Sequence, residues 1–439
     1  MPLSGGNKSK MKFYSTNNRE HVADLKTAVL KGLAPDKGLY MPESIPVLPK
    51  SFWDWVPGKS MGEIGFELLK HFFCPDIPED KFKVMVEDAF NFPVPVVKVS
   101  DNISSLELFH GPTLAFKDVG ARFLARVMSY FADFGGKPIN VLAATSGDTG
   151  SAVANGFLGV PNVFVHILYP SGLVSKLQEL QFTTLGQNVS AYEVKGVFDD
   201  CQRMVKEAFM DKDINAQKIL TSANSINLAR FLPQSVYYVH ALAQIPKEQW
   251  KNLVICVPSG NFGDITAGLV AYKMGMPVKR FIAAVNANKV FPDFLQTGEY
   301  KPQPSLHTLA NAMDVGDPSN FARVYELFGR NVDELRKVVS SYSYSDEIIG
   351  KTIAEVSAEH GYTCDPHGAV GYAALKDNLQ TGEKGLFLET AHPAKFIDTV
   401  ERFVGKKIEI PERLAKFLNG KKQSVVIEKD YHNILGSLK

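Results

Sequence analysis

Short apolar runs alternate with amphipathic segments from about residue 103 to about residue 283. The runs are rich in β-branched residues, which is typical of buried strands; they read INVLAAT, VFVHILY, NVSAYEV, NLVICVP and RFIAAVN. The segments between them place apolar residues at helical spacing, and several end on the glycine that closes many helices. Strands and helices that alternate in this way predict an α/β fold with parallel sheets covered on both faces.

The segments on either side of this region are less regular. Residues 11–98 combine a stretch of helical spacing with proline-rich extended stretches such as MPESIPVLP, so we predict an N-terminal segment packed on the main body. Residues 284–345 include FPDFLQTGEYKPQPS, which suggests a long surface excursion. After it, EIIGKTIAEVSAEHG predicts a helix and GLFLET a further strand. A length of 439 residues is consistent with two or three domains.

Composition narrows the class of partner. The 48 basic and 47 acidic side chains leave a net charge of +1, which argues against nucleic acid or an anionic membrane as a partner. No run of apolar residues is long enough to span a membrane, and the opening MPLSGGNKSK lacks the apolar stretch of a secretory signal. The four cysteines are scattered without CxxC spacing, which favours a reducing compartment and argues against a zinc site. We expect a cytoplasmic protein that binds small molecules.

Two glycine-containing loops each follow a predicted strand and precede a predicted helix. They are SGDTGSA (residues 146–152) and SGNFGD (residues 259–264). Ligands of open parallel sheets bind at the carboxyl ends of the strands, where glycines let backbone amides curl around an anion. One such loop is weak evidence, because glycine is common in any strand-to-helix turn. Two of them indicate two anionic groups in one cleft, although neither loop matches the dinucleotide pattern GxGxxG.

A third motif that contains glycine, GKT at residues 350–352, has the form of the end of a nucleotide phosphate loop. The earlier glycine of that loop is absent, because Ser345 occupies its place. The preceding SYSYSDE is polar and does not predict a buried strand. We therefore exclude a nucleoside triphosphatase.

Lys117 lies in HGPTLAFKD, between the strand-like ISSLELF and the helix-like VGARFLARVMSYF. A lysine that faces a cleft with two anion sites suits a Schiff base with a phosphorylated aldehyde cofactor. That chemistry needs a lysine that loses its proton readily, and Phe116 with its apolar neighbours would favour this by desolvation. The alternative is a solvated lysine at the start of a helix, which the local pattern alone favours because most lysines are exposed.

Five motifs occur in order along the chain, and together they are stronger evidence than any one of them: HGPTLAFKD, ATSGDTGSA, NSINLAR, PSGNFGD and ETAHPAKF. Together they resemble the threonine synthase family, fold-type II enzymes that depend on pyridoxal 5′-phosphate. The resemblance runs from about residue 12 to about residue 400, and the opening FYSTNN is similar to the extension of the family's longer branch. It implies an N-terminal extension (1–98) and two parallel-sheet α/β domains (99–245 and 246–439) with the active site in the cleft between them.

The resemblance also implies a cofactor site. Lys117 would hold the cofactor as a Schiff base, beside Phe116, and later move protons at the substrate's α and β carbons. Thr390 matches the hydroxyl that faces the pyridine nitrogen, which makes the ring a milder electron sink than a carboxylate would. Residues 259–264 would bind the cofactor phosphate at the start of a helix, through Gly260, Asn261, Phe262, Gly263 and Asp264.

For the substrate, the resemblance implies two groups of residues. The amino-acid carboxylate would be bound by the first loop, through Ser146, Gly147, Asp148, Thr149 and Gly150. The phosphate would be bound by Ser225, Asn227, Arg230 and Lys395. Asp148 stands where many fold-type II enzymes have asparagine, and we expect a structural role for it in the loop. The alternative for Arg230 is a surface arginine at a helix end. His110 and Thr113 are close enough in sequence to Lys117 to line the cleft.

The implied reaction converts O-phospho-L-homoserine and water to L-threonine and phosphate. One alternative is a related lyase that releases 2-oxobutyrate, phosphate and ammonia, which differs only in where water is admitted. The other is a catalytically silent protein that binds a phosphorylated ligand. Lys117 and both glycine loops argue against the second alternative.

Overall fold

The computed structural model describes residues 10–74, 76–132 and 137–439. Residues 1–9, which carry most of the stretch that we interpreted as lacking a secretory signal, lie outside this part. The described strands are β1 Phe13–Ser15, β2 Val22–Ala23, β3 Tyr40–Pro42, β4 Val96–Lys98, β5 Ile103–Glu107, β6 Ile139–Ala144, β7 Val163–Pro170, β8 Val189–Val194, β9 Ile219–Ser222, β10 Leu253–Pro258, β11 Arg280–Val285, β12 Val339–Ser343, β13 Lys384–Glu389 and β14 Val425–Ile427.

Helices cover the sheets and connect their strands. They are α1 Leu25–Lys31, α2 Lys50–Trp55, α3 Met61–Phe73, α4 Glu79–Ala89, α5 Lys117–Ala132, α6 Asp148–Phe157, α7 Lys176–Thr183, α8 Phe198–Met210, α9 Lys212–Gln217, α10 Leu228–Phe231, α11 Ser235–Gln244, α12 Gly263–Lys273, α13 Val290–Thr297, α14 Phe321–Leu327, α15 Val332–Arg336, α16 Asp346–His360, α17 Pro366–Asn378, α18 Ile397–Val404, α19 Glu412–Leu418 and α20 His432–Leu435. Short 3-10 turns lie at Leu232–Gln234, Lys247–Asn252, Asn311–Met313 and Pro393–Phe396.

Two sheets that are largely or wholly parallel form the main body. One has the strand order β12-β11-β10-β13-β5-β4, in which only β4 is antiparallel to its neighbour. The other has the order β14-β8-β7-β6-β9 and is parallel throughout. Every residue of β6 and β10 is buried, as expected for strands with helices on both faces. The predicted α/β fold is confirmed.

The division of the chain between the two sheets differs from the predicted boundary at residues 245 and 246. Strand β5, which precedes Lys117, pairs with β13 from the far end of the chain, with Leu106 opposite Leu388. In return, β14 near the C-terminus pairs with β8. Strand pairing depends on packing between distant segments, whereas the sequence division follows chain order. The consequence is that Lys117 and the second glycine loop are connected to the same sheet.

The N-terminal segment carries the small sheet β2-β1-β3 and helices α1 to α4. Helix α3 begins with a capping box in which Ser60 and Glu63 bond each other's backbone amides. Its apolar face, which includes Ile64, Leu68 and Phe72, is fully buried in the same core as α11. The segment therefore packs on the main body and shares its core.

The GKT motif lies inside a helix. Ser345 caps α16, and Gly350, Lys351 and Thr352 all lie within its regular turns, so there is no loop here to enclose a phosphate. Residues 341–343 of SYSYSDE complete β12, but they are half-buried or exposed and do not form a buried strand. That strand lies at the edge of its sheet, where polar side chains are tolerated on the solvent side.

Among the described residues, none of the helices combines the length and apolar character needed to cross a membrane.

We predict that Leu106→Ala lowers the free energy of unfolding by about 2–5 kcal/mol, because it leaves a cavity in the sheet that leads to Lys117. Leu106 is fully buried in β5. Urea denaturation measures the effect, with Val84→Ala on α4 as the control. Val84 is 65% exposed, so its truncation should change stability by no more than about 0.5 kcal/mol. Equal denaturation midpoints for the two variants would contradict this packing.

Candidate active site

Lys117 opens α5 at the end of a loop that is tied to the end of β13. The Phe116 amide donates to the Thr390 carbonyl at 2.8 Å, and the His392 amide donates to the Leu114 carbonyl at 3.0 Å. Leu114 itself has a φ of 58°, a left-handed conformation that non-glycine residues adopt rarely and mainly at functional sites. These bonds hold the start of α5 against the segment that contains Thr390.

The side chain of Lys117 has no ion-pair or hydrogen-bond partner in the described part of the chain. Its ammonium lies 5.5 Å from the centre of the Phe116 ring. Asp118, the nearest acid in sequence, is turned inward, where it accepts from the Thr113 amide at 2.9 Å and from the Thr113 hydroxyl at 2.6 Å. Burial lowers the pKa of Lys117 to about 8, although the carboxylate of Asp148 opposes the change. Lys117 therefore loses its proton more readily near neutral pH than an exposed lysine does.

A second lysine, Lys395, is held in a different state. Its Nζ forms an ion pair with Asp148 at 2.6 Å and donates to the Thr113 carbonyl at 2.8 Å. Gln178 Nε2 donates to the same Asp148 oxygen at 2.8 Å. Burial disfavours the ionised carboxyl, but the two nearby ammonium groups outweigh it, and the pKa of Asp148 falls to about 2. Lys395 is therefore bound in a buried ion pair, whereas Lys117 is left without one in the described part of the chain.

The first glycine loop presents different atoms from those that the sequence suggested. The amides of Gly147 and Gly150 point inward and donate to the Thr145 hydroxyl at 2.9 and 2.8 Å. The amides left for an anion are those of Asp148 and Thr149, because the first turn of α6 has no intrahelical acceptors for them. Ser146 and Thr149, which carry hydroxyls, are partly exposed beside them. This edge can bind a carboxylate, but the glycine amides are not its donors.

Gly147 is required for the shape of this loop. Its φ of 146° is accessible to glycine, and a Cβ built on it would lie 2.6 Å from the side chain of Gln178. The close approach lets Gln178 reach Asp148.

The second glycine loop forms a row of unused amides at the start of α12. None of the amides from Gly260 to Asp264 donates to another group in the described part of the chain. Phe262 has a left-handed φ of 61°, which bends the row into a concave shape. The centre of its ring lies 4.5 Å from the centre of the Phe291 ring. A partly exposed concave row of amides at a helix start fits a phosphate group. Phe262 would contribute through its backbone.

Asp264 is the last residue of this row, and its side chain would repel a phosphate if it were ionised. Burial raises the pKa of Asp264 to about 7, and the hydroxyl of Tyr238 donates to Oδ1 at 2.9 Å. The other carboxyl oxygen, Oδ2, is buried without a partner in the described part of the chain. The raised pKa of Asp264 reduces the negative charge that this carboxyl brings to the anion site.

The three candidates in NSINLAR occupy different places. Asn227 caps α10 and bonds only within the protein, to the Val29 carbonyl at 2.8 Å, the Ser222 carbonyl at 3.2 Å and the Ala229 amide at 3.1 Å. Its place here is structural, in contrast to the predicted contact with substrate. Ser225 lies at the second glycine loop, where its hydroxyl accepts from Asn261 at 2.8 Å.

Arg230 is the member of this group that lies near Lys117. It is buried, with its Nε beside Gly120 on α5, and its charge lowers the pKa of Lys117. One hydrogen bond to the protein is found in the described chain, from Nη1 to the Ala223 carbonyl at 2.7 Å. Burial lowers the pKa of Arg230 to about 10, so it remains a cation at neutral pH. The alternative of a surface arginine is wrong.

Two further candidates, His110 and Thr113, contact other residues around the site. His110 Nε2 lies 2.7 Å from a carboxyl oxygen of Glu107, and Thr113 is fully buried between Asp118 and Lys395. Sequence analysis missed Gln178, Thr145 and Asn320, which hold the two loops by hydrogen bonds. Their separation from the motifs along the chain, and their ordinary polar side chains, give no local signal.

Known proteins are similar to this chain in both sequence and fold. Family profiles match as "Pyridoxal-phosphate dependent enzyme" over residues 104–388, "Threonine synthase N terminus" over 12–90 and "Threonine synthase, C-terminal" over 368–435. A threonine synthase of Serratia marcescens is 47% identical over 405 residues, which cover 92% of this chain and 94% of that protein. The chain belongs to the threonine synthase family.

Solved threonine synthases have the same fold along nearly the whole chain. The enzyme from Escherichia coli superposes with a TM-score of 0.91 at 45% identity, covering 96% of this chain and 98% of that one. The threonine synthase with bound pyridoxal phosphate from Brucella melitensis superposes with a TM-score of 0.90 at 35% identity, covering 97% and 98%. The predicted family, the fold-type II architecture and the pyridoxal phosphate cofactor are confirmed.

We predict that the charges around Lys117 set its pKa in opposite directions. Asp148→Asn should move the pKa below about 8, because the carboxylate stabilises the ammonium form. Lys395→Met should move it upward, because a neighbouring positive charge is removed and Asp148 is released to act on Lys117. The measurement is the rate at which the cofactor-free protein takes up pyridoxal phosphate as a function of pH, since the neutral amine is the reactive form. Shifts of the same sign in both variants would contradict this arrangement.

Proposed function

We propose that the chain converts O-phospho-L-homoserine and water to L-threonine and phosphate at the site around Lys117. The observation that carries the proposal is Lys117, which is desolvated and has no bonded partner among the described residues, together with the two sets of backbone amides that are unused in the same part of the chain. An amine of lowered pKa and two anion sites match a substrate and a cofactor that each bring an anionic group. A silent binding protein would have no need of a lysine held without a partner.

The second loop is the proposed site for the phosphate of pyridoxal phosphate, bound by the amides from Gly260 to Asp264. Thr390 would place its hydroxyl at the ring nitrogen, because its backbone is bonded to Phe116 beside the reactive lysine. When bound, pyridoxal phosphate supplies an aldehyde that condenses with amines and a ring that withdraws electrons from the adjacent carbon. Burial raises the pKa of Glu389, next to Thr390, well above its ordinary value, which disfavours a negative charge there.

Lys117 is the proposed acid and base for the substrate's α and β carbons. Its lowered pKa allows one group both to take a proton and to return it near neutral pH. The first loop would orient the amino-acid carboxylate with the amides of Asp148 and Thr149. Arg230 would stabilise the departing phosphate, because it is a buried cation with donors to spare near Lys117. Lys395 is proposed to act through Asp148, since its own ammonium is already bonded.

We also propose that the enzyme acts in the cytoplasm. Cys201, Cys256 and Cys364 are buried free thiols, which is the ordinary state of cysteine in a reducing compartment.

Lys117→Ala is expected to abolish turnover, with a loss of at least about 10³-fold in phosphate release from O-phospho-L-homoserine. The fold should persist, because the side chain makes no bond that the sheet depends on. Lys83→Ala, which removes an exposed lysine on α4, serves as the control and should retain full activity. Near-normal turnover by the Lys117 variant would remove the basis of the proposal.

Product analysis separates the proposed reaction from the related lyase. Incubation with O-phospho-L-homoserine should yield threonine in step with phosphate. Accumulation of 2-oxobutyrate and ammonia in its place would assign the chain to the lyase reaction, with the same residues in the same positions.

Arg230→Ala is expected to lower kcat/KM for O-phospho-L-homoserine by about 10²-fold or more, because a buried charge-assisted contact to phosphate is lost. Arg230→Lys should recover part of the loss, since it keeps the charge but not the fork of donors. Arg203→Ala on α8 removes an exposed, ion-paired arginine and should leave kcat/KM unchanged. A loss confined to thermal stability would show that Arg230 has a structural role alone.

A further inference from the structure

Arg323, on α14, is a buried cation that the proposed reaction does not use. It is fully buried, with its guanidinium 4.1 Å over the ring of Phe231, and no carboxylate in the described chain forms an ion pair with it. Burial lowers the pKa of Arg323 to about 9, so the group stays protonated at neutral pH. A buried charge without a counter-charge is costly, and proteins usually pair it or place it near a charged ligand.

The hydrogen bonds of Arg323 satisfy its donors but not its charge. Nε and Nη2 donate to the Tyr40 carbonyl at 3.2 and 3.1 Å, and Nη2 also donates to the Ile226 carbonyl at 2.6 Å. Nη1 donates to the Ser225 carbonyl at 2.9 Å and to Asn320 Oδ1 at 2.8 Å. All of these acceptors are neutral. The guanidinium is fixed in position with a full positive charge.

Those acceptors lead directly to the second glycine loop. Asn320 Nδ2 donates to the Ser225 hydroxyl and to the Asn261 carbonyl, both at 3.0 Å. Asn261 Nδ2 donates to the same hydroxyl at 2.8 Å. A Cβ built on Gly263 would lie 2.9 Å from Ser225 Cβ, so this serine stands against the loop itself.

The hydroxyl of Ser225 is left as a hydrogen-bond donor. Two amide donors occupy both of its acceptor positions, so its own proton must be donated. No acceptor for that proton is found in the described residues. Ser225 is partly exposed and lies beside the row of amides from Gly260 to Asp264. An anion bound by those amides would supply the missing acceptor.

We propose that Arg323 provides the counter-charge for the cofactor phosphate, acting through Ser225 and Asn320. The proposal rests on the assignment of that phosphate to the second glycine loop. Arg323 is a positioning residue, because it lies behind the groups that face the ligand. The Ser225 hydroxyl donates to a phosphate oxygen, and the carbonyl of Tyr40 makes the N-terminal segment part of the phosphate site.

The test compares two ligands in cofactor-free protein: pyridoxal 5′-phosphate and pyridoxal, which lacks the phosphate. For Arg323→Met, the Kd for pyridoxal phosphate should rise about tenfold or more, while the Kd for pyridoxal changes by less than about twofold. Inorganic phosphate should raise the melting temperature of the unchanged protein and not that of the variant. Equal losses for both ligands would overturn the proposal, because they would show a purely structural role.

Arg330→Met is the matched control. Arg330 follows α14 and also bonds the N-terminal segment, through the Thr16 carbonyl, but it is ion-paired with Glu326 at 2.8 Å. Its loss should leave the ratio of the two Kd values unchanged. A change equal to that of Arg323→Met would show that contact with the N-terminal segment matters and the buried charge does not.

Asn320→Asp keeps the proposal testable if Arg323→Met does not fold. The new carboxylate would lie against the guanidinium and neutralise it within the protein. The preference for pyridoxal phosphate over pyridoxal should then fall about tenfold or more, in an apoprotein that remains folded. An unchanged preference would overturn the role of Arg323. If the unchanged protein itself shows no preference and no stabilisation by phosphate, the assignment of the second loop is wrong, and the inference falls with it.

Discussion

The active site depends on which lysine the carboxylate of Asp148 is paired with. Lys395 forms the direct ion pair, and Gln178 bonds the same oxygen. Lys117 is left desolvated, so that its pKa falls toward neutrality. If Asp148 turned to Lys117, the amine would be held as an ammonium ion and would lose its value as a nucleophile and base. One buried ion pair therefore distinguishes the lysine that is bonded from the lysine that we propose as the reactive one.

The fold brings these groups together through strands that are distant along the chain. The strand before Lys117 (β5), the strand before the second glycine loop (β10) and the strand before Thr390 (β13) all belong to one sheet, in which β13 lies between the other two. The first glycine loop follows β6 of the other sheet. Parallel strands place their carboxyl ends on one edge. The loop after β6 meets the segment after β13 through the ion pair of Asp148 with Lys395.

Sequence analysis predicted the alternation of strands and helices and the place of the two glycine loops more fully than it predicted how their atoms are arranged. The parallel strands and both strand–loop–helix units follow from apolar periodicity and glycine spacing, which are local properties. The pairing of β5 with β13, the inward turn of the Gly147 and Gly150 amides and the partner of Asp148 depend on residues far apart in sequence. The same is true of Arg323 and Gln178, whose side chains are ordinary in sequence and acquire a role only through burial and contact.

The central claim, that Lys117 is the amine that joins the cofactor, is tested most directly by chemical mapping. The cofactor-loaded enzyme is reduced with borohydride, which fixes the bond between lysine and cofactor, and is then digested and analysed by mass spectrometry. The account predicts that the added mass lies on the peptide that contains Lys117 and that Lys395 is unmodified. Modification of Lys395, with Lys117 unmodified, would show that the charges around Asp148 have been assigned to the wrong lysine.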